Sequence, residues 1–354
     1  MKTILNLSAV AGVVMALQGT TALAADYSVT AAAGHPPVFR WVRMFPDSFG
    51  PAVNKHLAGQ GDTLTIDGQF GGAIAGVGEE LETVGAGLAE IGTCQSLFDP
   101  AKLAVQNVTY YTPFITDDTN TVAKVINDMH RDDPRMTAAY EENDVVYLGA
   151  PIIIDDYLLM TNFPVNSVAD LEGRKIAAPG AALNWLSGTG AVGVSGNLTT
   201  YYNELKTGVY DGVIVFASAA LPGKLYEVAP NITRAGMGAQ YAGAICANKD
   251  WYDGLPEHVQ AALKAGADEA MEWYLADLNA AVETSFAKMQ EAGATVSVMP
   301  QDARKAWADG MDNAAKSWAE GLDGQGLPAT ALLGDYMNAL RDAGAMPLRN
   351  WDQE

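Results

Sequence analysis

Two adjacent acidic pairs, Glu79-Glu80 and Asp155-Asp156, could supply a general acid and base or hold a cation. Such pairs more often sit in solvated loops or at helix N-termini, where free N–H groups favour negative charge. The four histidines, His35, His56, His130 and His258, share no ligand spacing with one another or with Cys94 and Cys246, which argues against a zinc centre. In GTGAVG, Gly188, Gly190 and Gly193 have the spacing of a dinucleotide-binding loop. That loop works only directly after a strand and at the start of a helix. Here the preceding strand-like stretch ends at Ala178 and a helical stretch from near Leu183 runs into the glycines, so they read as a helix exit and loop. Ser195 lies in GVSGN, which lacks the GxSxG spacing of a nucleophile elbow, and no histidine stands in a recognisable relation to it. Trp185, Phe216, Tyr241, Tyr110 and Tyr111 could wall an apolar pocket, although aromatics at strand ends are usually core.

Strand-like and helix-like segments alternate through the elements that must position these groups, which points to α/β lobes. Tyr27 to Ala32, Thr63 to Gln69, Glu90 to Gln95, Arg174 to Ala178 and Gly212 to Phe216 read as strands, and Val145 to Gly149 and Ile152 to Thr161 are β-rich. Helices are expected over Phe39 to Ala58, Gly78 to Ala89 and Tyr201 to Thr207. After Pro256, apolar residues Val259, Leu263, Met271, Tyr274, Leu278, Val282, Phe286 and Met289 recur mostly at threes and fours without a breaker. That pattern predicts one helix over about 256–290, entered at Pro256 and left at Gly293. At 1.5 Å per residue it would reach roughly 50 Å, long enough to lie across two lobes.

The chain has 354 residues and a formal net charge of -21. Lys2, the apolar stretch Ile4 to Leu17 and the small residues ending Ala22-Leu23-Ala24 read as a secretory signal peptide over residues 1–24, so the mature protein is expected in the periplasm. No cysteine stands at the cleavage site, and no later segment is apolar enough for a membrane span. The acidic balance argues against nucleic acid and anionic membrane surfaces as partners. Two cysteines are too few for a disulfide scaffold in a chain this long. Two separate buried thiols are expected, with a single bridge permitted by an oxidising compartment. Roughly 330 mature residues fill two lobes better than one, because single cores stop growing near 250–300 residues.

Four stretches, in order, resemble the substrate-binding proteins of tripartite ATP-independent periplasmic transporters of the dicarboxylate-receptor type. They are QFGGAIAGVGEELETVGAGLAEIG, SVADLEGRKIAAPG, YNELKTGVYDG and NKDWYDGLPEHVQAAL. The resemblance spans essentially the whole mature chain. It implies an α/β, two-lobed periplasmic-binding-protein fold with interleaved lobes, hinge strands and one long C-terminal helix spanning both. The expected division is 25–149 with 238–270 as the first lobe and 150–237 with 271–354 as the second. It further implies a solute enclosed on closure, a membrane permease as partner, a monomer, and a receptor with no catalytic residues and no cofactor, although a ligand-bridging cation stays open.

Departures from the family's pattern bear on the ligand. The arginine that usually follows "KI" and pairs with the ligand's carboxylate is here Ala177, and the polar residues that usually follow "DG" are here Val213 to Phe216. A second basic position falls near Tyr157. The ligand-binding residues expected on this alignment are Gln69, Phe70, Gly71, Asp156, Tyr157, Asn184, Trp185, Val215, Phe216 and Tyr241. The expected solute is a monocarboxylate or an apolar or aromatic organic acid, held by neutral donors or by Arg40 or Arg43 from the other lobe. Asp155 and Asp156 suggest a neutral or cationic polar solute as the alternative. A carboxylate-based hydrolase or isomerase, and a receptor of tripartite tricarboxylate transporters, are the readings that fit less well.

Overall fold

A computed structural model describes residues 24–354; the expected signal peptide lies outside them, save for its last residue. Among the described residues eleven strands form two sheets. In chain order they are β1 (Asp26–Ala33), β2 (Thr63–Phe70), β3 (Ile91–Cys94), β4 (Val145–Ile154), β5 (Tyr157–Thr161), β6 (Lys175–Ala178), β7 (Val192–Ser195), β8 (Gly212–Phe216), β9 (Asn231–Arg234), β10 (Gln240–Asn248) and β11 (Thr295–Val298). The first sheet has the order β2-β1-β3-β10-β4 and the second β11-β9-β5-β8-β6-β7. Strands distant in sequence therefore neighbour one another in both sheets, and the two lobes interleave.

Two short links carry the chain between the sheets. Asp155 and Asp156 alone join β4 to β5, and residues 235–239 join β9 to β10. Gly238 in the second link has φ +99, and a Cβ there would stand 2.9 Å from the Thr116 carbonyl, so the link needs glycine at that point. β4 keeps its pairing with β10 as far as Ile154, so the boundary expected at residue 149 falls inside a strand. Helix Ala329–Asp342 packs against helix Thr119–Asp132, which carries the C-terminal segment back onto the first sheet's layer rather than leaving it with the second.

The long helix runs from Glu257 to Glu291, within a residue of its expected ends. It packs on helix Gly50–Leu57 and β4 of the first layer, and on helix Ala217–Ala220 and β11 of the second. Gly266 permits the closest approach: a Cβ there would stand 2.4 Å from Val53 Cγ2. The expected helix over residues 39–58 forms with one irregularity. Between Arg40–Met44 and Gly50–Leu57 the turn Phe45–Phe49 widens, and the Gly50 N–H reaches back five residues to the Phe45 carbonyl. Pro46 lies within this turn and Pro51 just beyond it, and neither has an N–H to donate. The glycines of GTGAVG leave a 3₁₀ turn, Gly180–Leu186, and lead into β7 rather than a helix, so no dinucleotide loop forms.

Cys94 and Cys246 are joined in a disulfide with Cα atoms 5.9 Å apart, which corrects the expectation of two separate thiols. The cause is topological. β10 returns from the second link to lie antiparallel beside β3, setting Cys246 opposite Gly92 and Cys94 opposite Ala244. Alkylation of the unreduced, denatured protein is expected to label no cysteine, and reduction to expose both; mass spectrometry showing two labelled cysteines without reductant would contradict the bridge.

Candidate ligand-binding site

Between the carboxyl ends of the strands lies a narrow cavity walled by both sheets, with about 30 Å³ of free space. From the first layer come His35 and Gln95, just beyond β1 and β3, with Ile152 and Ile154 of β4 and Ala242 of β10. The second layer adds Tyr157 at the start of β5, Pro179 just beyond β6, and Ile214, Val215 and Phe216 of β8. Open α/β sheets bind ligands at this place, in the crevice beyond their strand ends. Tyr157 and Phe216 are register partners across β5 and β8, with ring centroids 5.3 Å apart. Trp41 faces Phe216 from the other layer at 6.1 Å. Among the described residues no lysine or arginine lines the cavity.

The polar groups of the wall are few and uncharged. Tyr110 and Tyr157 bond to each other through their hydroxyls at 3.0 Å, and burial pushes both phenols up, so neither ionises at neutral pH. Gln95 Nε2 lies 3.1 Å from His35 Nδ1. Burial lowers the His35 pKa to about 4, so its ring is neutral. An amide NH₂ can only donate, so Nδ1 is the acceptor and the ring proton sits on Nε2. His35 Nε2 and Trp41 Nε1 are both buried and have no partner among the described residues. Behind them, the Glu80 carboxyl accepts from the N–H groups of Gly34, at 3.0 Å, and Gly78, at 2.7 Å. Burial pushes it up to about 7. Glu80 thus braces the loop that carries His35 and is not a solvated helix-end acid.

Residues 66–321 match the model of the family described as bacterial extracellular solute-binding protein, family 7. The chain belongs to this family. It is 34% identical over 97 residues to the ectoine-binding periplasmic protein TeaA of Halomonas elongata, a match spanning 27% of this chain and 28% of that protein. Solved structures share the whole fold. One is a tripartite ATP-independent transporter solute-binding protein from Desulfovibrio salexigens, with TM-score 0.76 and 20% identity, covering 90% of this chain and 97% of that one. Another is an extracytoplasmic solute receptor of Bordetella pertussis binding pyroglutamic acid, with TM-score 0.77 and 18% identity, covering 89% and 99%.

In this solute-binding protein, three of the residues expected from sequence, Tyr157, Val215 and Phe216, line the cavity. The others do not. Trp185 stands one layer behind, stacked on Tyr110 at 5.8 Å with its N–H donated to the Tyr110 carbonyl. Asn184 donates to the Ala181 carbonyl of its own turn. Tyr241 is buried on the far side of β10, bonded to the Tyr140 hydroxyl. Gln69 is bonded to Asp67, and Phe70 stacks on Phe45 at the outer edge of the first sheet. Gly71 forms the turn after β2, where its N–H donates to the His35 carbonyl. Asp156 belongs to the link between the sheets and accepts from the Gly238 N–H.

Arg40 and Arg43 do not line the cavity either; both engage Asp277 on the long helix, and Arg40 also donates to the Ser218 carbonyl. Sequence reasoning missed His35, Trp41, Gln95, Phe98 and Tyr201. The sequence offers His35 only as a metal ligand, by residue type. The usable signal was its place: a polar residue immediately past the end of a parallel strand, between Gly34 and Pro36.

Proposed function

We propose that this chain is a periplasmic receptor that closes two lobes over a small organic acid with an apolar or aromatic body, and delivers it to a membrane permease of the tripartite ATP-independent type. The observation that carries the reading is the cavity itself. It is walled from both sheets, lined by rings and aliphatic side chains, and among the described residues no fixed positive charge faces it. With about 30 Å³ free, the cavity is nearly filled by its own side chains, so a solute enters only as the lobes part. The pyroglutamic acid bound by the Bordetella pertussis receptor is a small monocarboxylic acid. Asp155 and Asp156 do not line the cavity, which removes the reason for expecting a cation.

Asp155–Asp156 and residues 235–239 are the hinges on this reading. Contacts across the cleft support a closed state: Arg40 reaches Ser218, and Gly180 approaches the Leu97 carbonyl so closely that a Cβ would stand 2.4 Å from it. Saturating solute is expected to reduce the radius of gyration by drawing an open population into the closed form. Mass spectrometry of the supernatant from denatured protein identifies what co-purifies, and small-angle scattering with that solute checks closure. An unchanged radius alongside calorimetrically proven binding would remove the clamshell mechanism, and chemical conversion of the solute would make the chain an enzyme.

A further inference from the structure

We infer that the solute's carboxylate is held by two uncharged donors, His35 Nε2–H and Trp41 Nε1–H, in place of an arginine. The inference rests on the acid reading above and assigns its polar contacts. Both groups belong to the short segment that follows β1, and their rings meet edge to face at 5.3 Å, so they serve one wall of the cavity. Both are buried and, among the described residues, have no partner. Buried N–H groups left unpaired are costly, so an empty closed cavity is disfavoured and an occupant that accepts hydrogen bonds is selected.

The direction of both bonds is fixed. An indole nitrogen can only donate, and the Gln95 amide makes Nδ1 of His35 the acceptor, leaving its proton on Nε2. Gln95 Nε2 also lies 3.5 Å from Glu80 Oε1, and Glu80 in turn accepts from the Gly34 N–H, so the tautomer and the ring's position are set from behind. A neutral donor facing a carboxylate still forms a charge-assisted bond, which is stronger than a neutral pair. Two such donors and no cation suit one carboxylate. A second carboxylate would have no comparable partner among the lining residues, so the wall discriminates monoacids from diacids.

The test uses the mature protein and a fixed set of probes: benzoate, pyroglutamate and butyrate, their primary amides, and succinate. Calorimetry is run on wild type, His35→Phe and Trp41→Phe, which keep the rings and remove the donors, and on Arg174→Ala, whose guanidinium lies over Phe163 away from the cavity. The expected result is that at least one monoacid binds wild type and Arg174→Ala equally, each donor variant weakens it at least tenfold, and succinate binds at least tenfold more weakly.

Melting curves show whether the donor variants are folded. Nitrogen NMR of labelled histidine and tryptophan gives a readout independent of affinity: His35 should be protonated on Nε2 in the free protein, and the Trp41 indole proton should shift on binding. Unchanged monoacid affinity in both variants, or a His35 proton on Nδ1, overturns the donor assignment and leaves the acid reading standing. Binding of the amides but of none of the acids overturns the acid reading, and the assignment with it.

Discussion

Replacing Phe216 with alanine is expected to weaken solute binding by between 10- and 100-fold, about 1.4 to 2.7 kcal/mol, with the folded protein otherwise intact. Its ring closes the cavity from the second layer, packs edge-on to Tyr157 at 5.3 Å and meets Trp41 of the first layer at 6.1 Å. The ring therefore offers surface to the solute and contact between the closing lobes. Losing a buried aromatic removes transfer free energy and leaves a space the surroundings fill only in part, an effect of roughly this size when only one face of the ring meets the solute. Phe216→Leu should retain much of the affinity.

Trp185→Ala supplies the contrast. That ring lies behind Tyr110, so its loss should lower the melting temperature while the folded fraction binds nearly as before. Calorimetric titration of these variants with the co-purified solute, alongside parallel melts, separates wall from packing. Normal affinity in Phe216→Ala with a lowered melting temperature would place Phe216 in the interior and not in the site.

The contrast between Phe216 and Trp185 also marks how far sequence reaches. Both are aromatics near strand ends, and both looked like pocket walls; which of them meets the solute depends on the layer each occupies, a property of sheet packing. The long helix was legible because its apolar spacing persists without a breaker from Val259 to Met289. Strand β8 was legible as a short apolar run, and β1 and β2 through apolar residues alternating with polar ones, such as Leu64 and Ile66 between Thr63, Thr65 and Asp67. The Cys94–Cys246 bridge was not, since the β3–β10 pairing joins residues 152 apart through a link of five residues. Likewise, Ala177 revealed that the usual arginine was absent, but no periodicity could show that His35 and Trp41 stand unpartnered in the same wall.

Asp155 and Asp156, in the link between the sheets, have their largest expected consequence through pH. Burial pushes Asp155 up to about 6 and Asp156 up to about 7. Asp155 accepts from the Ser218 N–H and hydroxyl, and Asp156 from the Gly238 N–H at 2.8 Å. Asp117 and Asp155 raise Asp156 further, while Arg304, which holds the carbonyls of Ala235 and Gly236, opposes them. An ordinary aspartate in the unfolded chain releases its proton near 3.8, so between there and about 7 the native state binds the extra proton. Stability from this group is therefore fully present below pH 3.8 and is lost as pH rises through 7.

Glu80, raised to about 7, has the same sign. The buried His35 and His130, both lowered to about 4, have the opposite one, gaining stability between 4 and 6.5. The two sets oppose each other below pH 6.5, and above it only the acids act. Melting temperature is thus expected to fall from pH 6 to pH 8. Asp156→Asn keeps an oxygen for the Gly238 N–H and removes the charge, so at pH 8 it should be more stable than wild type by a few kcal/mol, on the order of 1.4 per unit of the displaced pKa. The difference should vanish below pH 4, where the wild-type carboxyl is already neutral. Denaturant titrations of both proteins across that range measure it. A variant less stable than wild type at pH 8 would mean that the Asp156 carboxylate is ionised and stabilised by Arg304, and that the hinge is an ion pair instead of a buried acid.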